Sequence, residues 1–302
     1  MTRADPYAAL AAFAEPARQR SETWRTALGV VLIGAAYGGG LILVLGLFAR
    51  ILEPAIGAWA AARFVEGFVT GRTAPGLTLL LYSFALMALP VALVTRFLHR
   101  RPVSGLLGPP GRALRDALRV TAPILALTIV LMPLVVMSDD AGRRLTLSQW
   151  TLWLPVALPG LIVQVGAEEL LFRGYLQQQL AARSRNPIVW MVMPSVLFGW
   201  LHFAPGEFGA NAALIAVWAG LFGLMAADLT ARTGTIGAAF GLHFATNFSS
   251  IFLVGLWGQL DGLALWNVVV NLRDPAAVLP LLAIDIAALI VSWLVARLAL
   301  RV

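Results

Sequence analysis

The chain has 302 residues, 60% of them hydrophobic and only 12% charged, a composition that belongs to membrane-embedded proteins and excludes an ordinary soluble domain. Every one of its 22 basic residues is an arginine, and against 15 acids they leave a formal charge of +7. There is no cysteine, which excludes disulfides, thiolate metal sites and a cysteine nucleophile.

Apolar windows of roughly 20 residues, the length that crosses a bilayer, fall at 26–49, 75–98, 117–137, 151–173, 187–203, 210–231, 235–257 and 276–298. The expected fold is therefore all-α, a polytopic membrane protein of about eight transmembrane helices. Residues 1–25 form a cytoplasmic N-terminal segment and 26–302 a single transmembrane domain, without a soluble domain or an internal repeat. The first span lacks an Ala-x-Ala cleavage site and reads as an uncleaved helix. Residues 50–74 space Ile51, Ile56, Trp59, Phe64 and Phe68 as an interfacial amphipathic helix would. Residues 99–116 form a basic link broken by "GLLGPPG", in which His99 reads as solvated among arginines. The fourth span continues as "GYLQQQLAAR", strong helix formers with no breaker before "RSRNP". Residues 138–150 and 258–275 read as outer loops, the second flanked by Trp257 and carrying Trp266.

Arginines at 18, 20 and 25, then at 96–119, 183–185, 232 and 297–301, fit one orientation under the positive-inside rule. Both termini are expected in the cytoplasm, in the cell membrane. The positive charge then marks topology and contact with anionic membrane lipid, and nucleic acid is not an expected partner.

Away from the span ends the ionisable residues are Glu168, Glu169, Arg173, His202, His243 and Asp285. A carboxylate near a bilayer centre costs at least ~2.5–3.5 kcal/mol, so the pair in "GAEELLFRGYL" needs a reason. Glu169 and Arg173, Phe198 and His202, and His243 and Asn247 are each spaced i,i+4 and so share a helix face. Glu168 and His202 lie equally far from the turn near Arg185, at ~25 Å along antiparallel helices, which puts them at similar depth. His243 lies much nearer its own turn, so a shared site would open toward the cytoplasm. Glu169 pairs with Arg173, which makes it a poor proton acceptor. Glu168 points about 100° away, has no such partner, and is the general-base candidate. His202 can orient the same water, and His243 and Asn247 can supply the donors of an oxyanion hole. Phe198 shapes the pocket. The "GAAFG" of Gly237 and Gly241 reads as close helix packing, and Asp285 as a structural hydrogen bond.

The three motifs EExxxR (Glu168, Glu169, Arg173), FxxxH (Phe198, His202) and HxxxN (His243, Asn247), each on its own apolar helix, resemble the CPBP family of intramembrane endopeptidases. This family is also called the Abi or CAAX-protease family. The resemblance covers 151–257, the expected catalytic core. It implies an eight-helix fold in which the first glutamate and the FxxxH histidine activate water, while the HxxxN pair stabilises the oxyanion.

The expected function is hydrolysis of a peptide bond at the membrane, in a peptide or a membrane protein. No serine or threonine sits in the motifs beside a base, which favours direct attack by water over a covalent intermediate. Two histidines and a glutamate are also the ligand set of many catalytic zinc sites, so a zinc metalloprotease is the alternative mechanism. The chain has no HExxH, and the Glu169–Arg173 pair sets a cation close to where a metal would sit. A metal-free mechanism without cofactor is preferred. A proton-coupled transporter or an idle scaffold is the alternative from other classes; the inverted repeats common in carriers are missing.

Overall fold

The computed structural model describes residues 5–302. A short helix α1 (Ala8–Ala14) precedes α2 (Thr23–Ile56), α3 (Ala58–Thr70), α4 (Ala74–Leu98), α5 (Pro110–Val136), α6 (Leu147–Arg183), α7 (Ile188–Leu201), α8 (Ala212–Thr233), α9 (Gly237–Phe248) and α10 (Pro275–Leu300). This is an all-α polytopic membrane protein. Each of the eight expected spans holds a helix. Among the described residues, however, only α2, α4, α5, α6, α8 and α10 are both long and apolar enough to cross a bilayer. Helices α7 and α9, the fifth and seventh, fall short of that length.

The bundle is assembled through small residues. A Cβ on Gly237 or Gly241 of α9 would strike the carbonyl of Ala113 or Ala117 on α5, so the GxxxG is packing, as expected. Gly199 of α7 lies against Ala216 and Gly220 of α8, and Gly223 of α8 against Ser195. These close approaches wrap α7, α8 and α9 around the second half of α6, where Arg173, Tyr175 and Gln177 are fully enclosed. In contrast α2 and α10 present long apolar faces outward, including Ile42, Leu43, Ile284 and Leu298.

Several connections differ from their sequence reading. Helix α2 runs on to Ile56, so Ile51 and Ile56 belong to it, and Gly57 at φ +81° makes the turn into α3. In α3, Phe64 packs on Phe48 at 5.7 Å and Phe68 is buried, while Trp59 stays exposed; the helix is there, but docked. The two expected loops, 138–150 and 258–275, join in a small sheet of order β1–β3–β2. Strand β1 (Ala141–Arg143) is antiparallel to β3 (Trp266–Val268), and β2 (Val254–Leu256) runs parallel to β3.

His99 corrects a second expectation, for it is 2% exposed. Its Nδ1–H donates to the Arg20 carbonyl at 2.7 Å, which leaves Nε2 to accept from the Tyr175 hydroxyl at 2.8 Å. Burial pushes its pKa below the ordinary value. The arginine-rich link thus inserts a neutral ring beneath α6. Its neighbour Arg101 is buried too, and desolvation lowers its pKa to about 10. The N-terminal segment is likewise built in, since Leu10 and Phe13 of α1 pack with Trp190 and Ile236.

Candidate active site

Glu168 and Glu169 end the α-helical part of α6, and hydrogen bonding then widens to the π pattern over Leu170–Gln177, a local irregularity frequent at functional sites. Glu169 is fully buried. Its Oε1 accepts from Arg173 Nη1 at 2.9 Å and lies 2.7 Å from His243 Nδ1. Arg173 is itself buried and donates from Nη2 to the Gly223 carbonyl of α8. One turn further, Gln177 Nε2 donates to the carbonyl of Ala227. The cation below Glu169 is therefore fixed at both ends, as a buried ion pair requires.

Glu168, with a side chain 13% exposed, turns to the other side of the same imidazole, and its Oε2 lies 3.4 Å from His243 Nε2. Helix spacing gives Glu168 no partner like the one Arg173 gives Glu169. The structure supplies one, because α9 lies close enough to α6 for His243 to bridge both glutamates. His243 is buried and edge-on to Phe222 at 4.9 Å.

Phe198 sits at the centre of a ring cluster. It lies 4.9 Å from Phe172, 4.6 Å from His202 and 6.2 Å from His243, with the Arg173 guanidinium 5.3 Å away. The Phe172–Phe198 contact sets the register of α6 and α7. Glu168 lies one turn from Phe172 and His202 one turn from Phe198 along these antiparallel helices. His202 Nδ1–H donates to the Phe198 carbonyl at 2.8 Å; in the neutral ring this leaves Nε2 as a bare acceptor. Asn247 Nδ2 donates to Gln164 Oε1 at 2.9 Å, which holds its amide and leaves the second N–H for another acceptor.

All seven sequence-selected residues thus lie on one stretch of α6, α7 and α9. Gln164 and Phe222 were missed. Gln164 had a signal, a lone polar residue four positions before Glu168 and so on its face. Phe222, one more aromatic in an apolar helix, had none. Asp285 stands apart. It is exposed on α10 and makes no side-chain hydrogen bond among the described residues, so the structural bond expected of it is not found.

Exposure is uneven along the site. Toward Arg183 the site is sealed by buried Phe172, Arg173, Tyr175 and Gln177. Toward the other end His202 and Asn247 are partly exposed and Phe203 is exposed. The cause is the early stop of α7 at Leu201, which leaves His202 at a free helix end. Among the described residues no three His, Asp or Glu side chains gather in a way that could hold a metal ion.

Residues 149–249 match the model of the family described as type II CAAX prenyl endopeptidase Rce1-like, and all seven motif residues fall inside the match. This part of the chain is Rce1-like. A protein of Bacillus subtilis (strain 168), named uncharacterized protein YyaK, is 30% identical over 175 residues. The aligned part is 55% of this chain and 56% of that protein, so the chain spans little more than half the length of the curated relative it matches. No solved structure matches. The Rce1-like segment holds the whole constellation from α6 to α9, whereas α2, α3 and α10 lie outside it.

Proposed function

We propose that this protein is an intramembrane endopeptidase that hydrolyses a peptide bond by direct attack of water, without a metal or other cofactor. The observation that supports this best is the chain Arg173–Glu169–His243–Glu168. Glu168 is the least enclosed carboxylate of the pair and acts as the general base, taking a proton from water and returning it to the leaving amine. His202 offers its free Nε2 to the same water. His243 gives Nδ1–H to Glu169 and, as the imidazolium, turns Nε2–H from Glu168 to the oxyanion of the tetrahedral intermediate, while Asn247, held by Gln164, supplies its second amide N–H. Glu169 and Arg173 position and do not touch substrate. The substrate is a peptide or membrane-protein segment, the setting is the cell membrane, and the arginine distribution favours cytoplasmic termini.

Zinc chemistry would need His202, His243 and a glutamate to converge as ligands. Arg173 places a guanidinium 2.9 Å from the Glu169 carboxylate, a cation where a second one would have to sit, which speaks for the metal-free reading. The test is a purified protein in lipid nanodiscs, assayed on a quenched peptide library. Glu168→Gln is expected to abolish cleavage with the fold intact, and wild-type cleavage to survive a membrane-permeant chelator. Stoichiometric zinc that disappears with His202→Ala would reverse the mechanism.

A further inference from the structure

At the end of the bundle that carries the sheet, a cavity of about 340 Å³ opens among Arg72, Arg144, Arg273, Glu207, Asp261 and Trp257. These residues come from distant parts of the chain. Arg72 is in the turn between α3 and α4, Arg144 follows β1, Trp257 and Asp261 follow β2, and Arg273 precedes α10. Glu207 lies on the short helix Pro205–Phe208, directly beyond His202. The cavity therefore shares a connecting segment with the candidate active site, at the end where His202 is partly exposed.

Its charges are unevenly satisfied. Asp261 is 2% exposed, and its Oδ2 accepts from the Gly258 N–H and from Asn267 and lies 3.4 Å from Arg144 Nε. That acid and Arg144 neutralise one another. Arg72 Nε donates to the Gly258 carbonyl at 2.9 Å, and Arg273 Nη2 donates to the carbonyl of Gly206. Each guanidinium pins a loop with one donor and keeps others, out of the five it carries. Among the described residues neither Arg72 nor Arg273 has a carboxylate within 4.0 Å. Two cations without counter-charge thus line one concavity, with only the exposed Glu207 of opposite sign left over.

We propose that this cavity binds a carboxylate of the substrate, either an acidic side chain flanking the cleaved bond or a free C-terminus; the inference rests on the endopeptidase reading. A carboxylate matches the planar fork of an arginine. A phosphate headgroup carries more charge into a space that also contains Asp261 and Glu207, and is disfavoured by their repulsion. Trp257, exposed at the rim, offers a flat apolar surface to the adjoining peptide.

The test measures binding, and so does not depend on turnover. Wild type and Glu168→Gln protein in phosphatidylcholine nanodiscs are titrated with three fluorescent decapeptides. One has internal glutamates and an amidated end, one is uncharged with a free C-terminus, and one has lysines with an amidated end. Binding of the first assigns the cavity to a side chain, binding of the second to a terminus, and either supports the proposal. Arg72→Gln with Arg273→Gln is expected to weaken that binding by tenfold or more, Arg72→Lys with Arg273→Lys to restore part of it, and Glu168→Gln to leave it unchanged. Thermal unfolding of each variant separates loss of charge from loss of fold. Equal binding of the lysine peptide, unchanged binding by the double glutamine variant, or displacement of every peptide by phosphatidylglycerol in the disc would overturn the assignment, the last in favour of a lipid headgroup. Cleavage that depends on Glu168 without any carboxylate preference would sink this inference alone and leave the protease reading in place.

Discussion

The second half of α6 and the middle of α10 each place a carboxylate in an apolar helix, and they treat it differently. Glu169 is fully buried, and its Oε1 is shared by Arg173 and His243. Asp285 is exposed, with no side-chain partner among the described residues. The apolar window of the span ending in α8, which receives Arg173 at Gly223, is 44% buried, against 17% for α10, so the first region has neighbours that can supply donors. A charge inside a membrane protein is held where several helices converge on it, and convergence rather than the charge marks a site.

Four predictions press on this contrast. The largest effect is expected at Glu169. Its change to Gln leaves Arg173 buried without its counter-charge and should cost ~3–5 kcal/mol, read as a lower unfolding midpoint in nanodiscs together with loss of activity. Adding Arg173→Met should return much of the stability and none of the activity; if stability stayed low, the loss would not come from an unpaired Arg173 charge. Next, His243→Ala and Asn247→Ala should each lower kcat by ~100-fold to 1000-fold, with KM little changed, as removal of an oxyanion donor does. A change confined to KM would assign them to substrate binding. Gln164→Leu should then act only through Asn247. A loss of about tenfold in kcat is expected, roughly 1.4 kcal/mol at the transition state, and none at all in a background already carrying Asn247→Ala. Additive losses would give Gln164 a role of its own. The smallest effect belongs to Asp285→Asn, for which activity and stability should stay within about 0.5 kcal/mol of wild type, as at an unpartnered exposed position. A large loss there would erase the contrast between the two regions.

Much of this was legible in the chain because membrane helices leave few polar residues to choose among. Composition and apolar window length determined the class, since a backbone in lipid must satisfy its own hydrogen bonds. The i,i+4 spacing of Glu169 with Arg173, Phe198 with His202 and His243 with Asn247 determined three helix faces, because side-chain periodicity is local. The GxxxG of α9 announced a close crossing for the same reason.

What tertiary structure alone decided is which faces meet. His243 became a bridge between the two glutamates, and Gln164 a partner for Asn247, only when α9 packed on α6. His99, set among arginines in sequence, was drawn into the interior by Tyr175 and the Arg20 carbonyl. The cavity arginines gather from positions 72 to 273 through the pairing of β1, β2 and β3. Contacts at such separations carry no periodic signal along the chain; they follow from which helices and strands lie side by side.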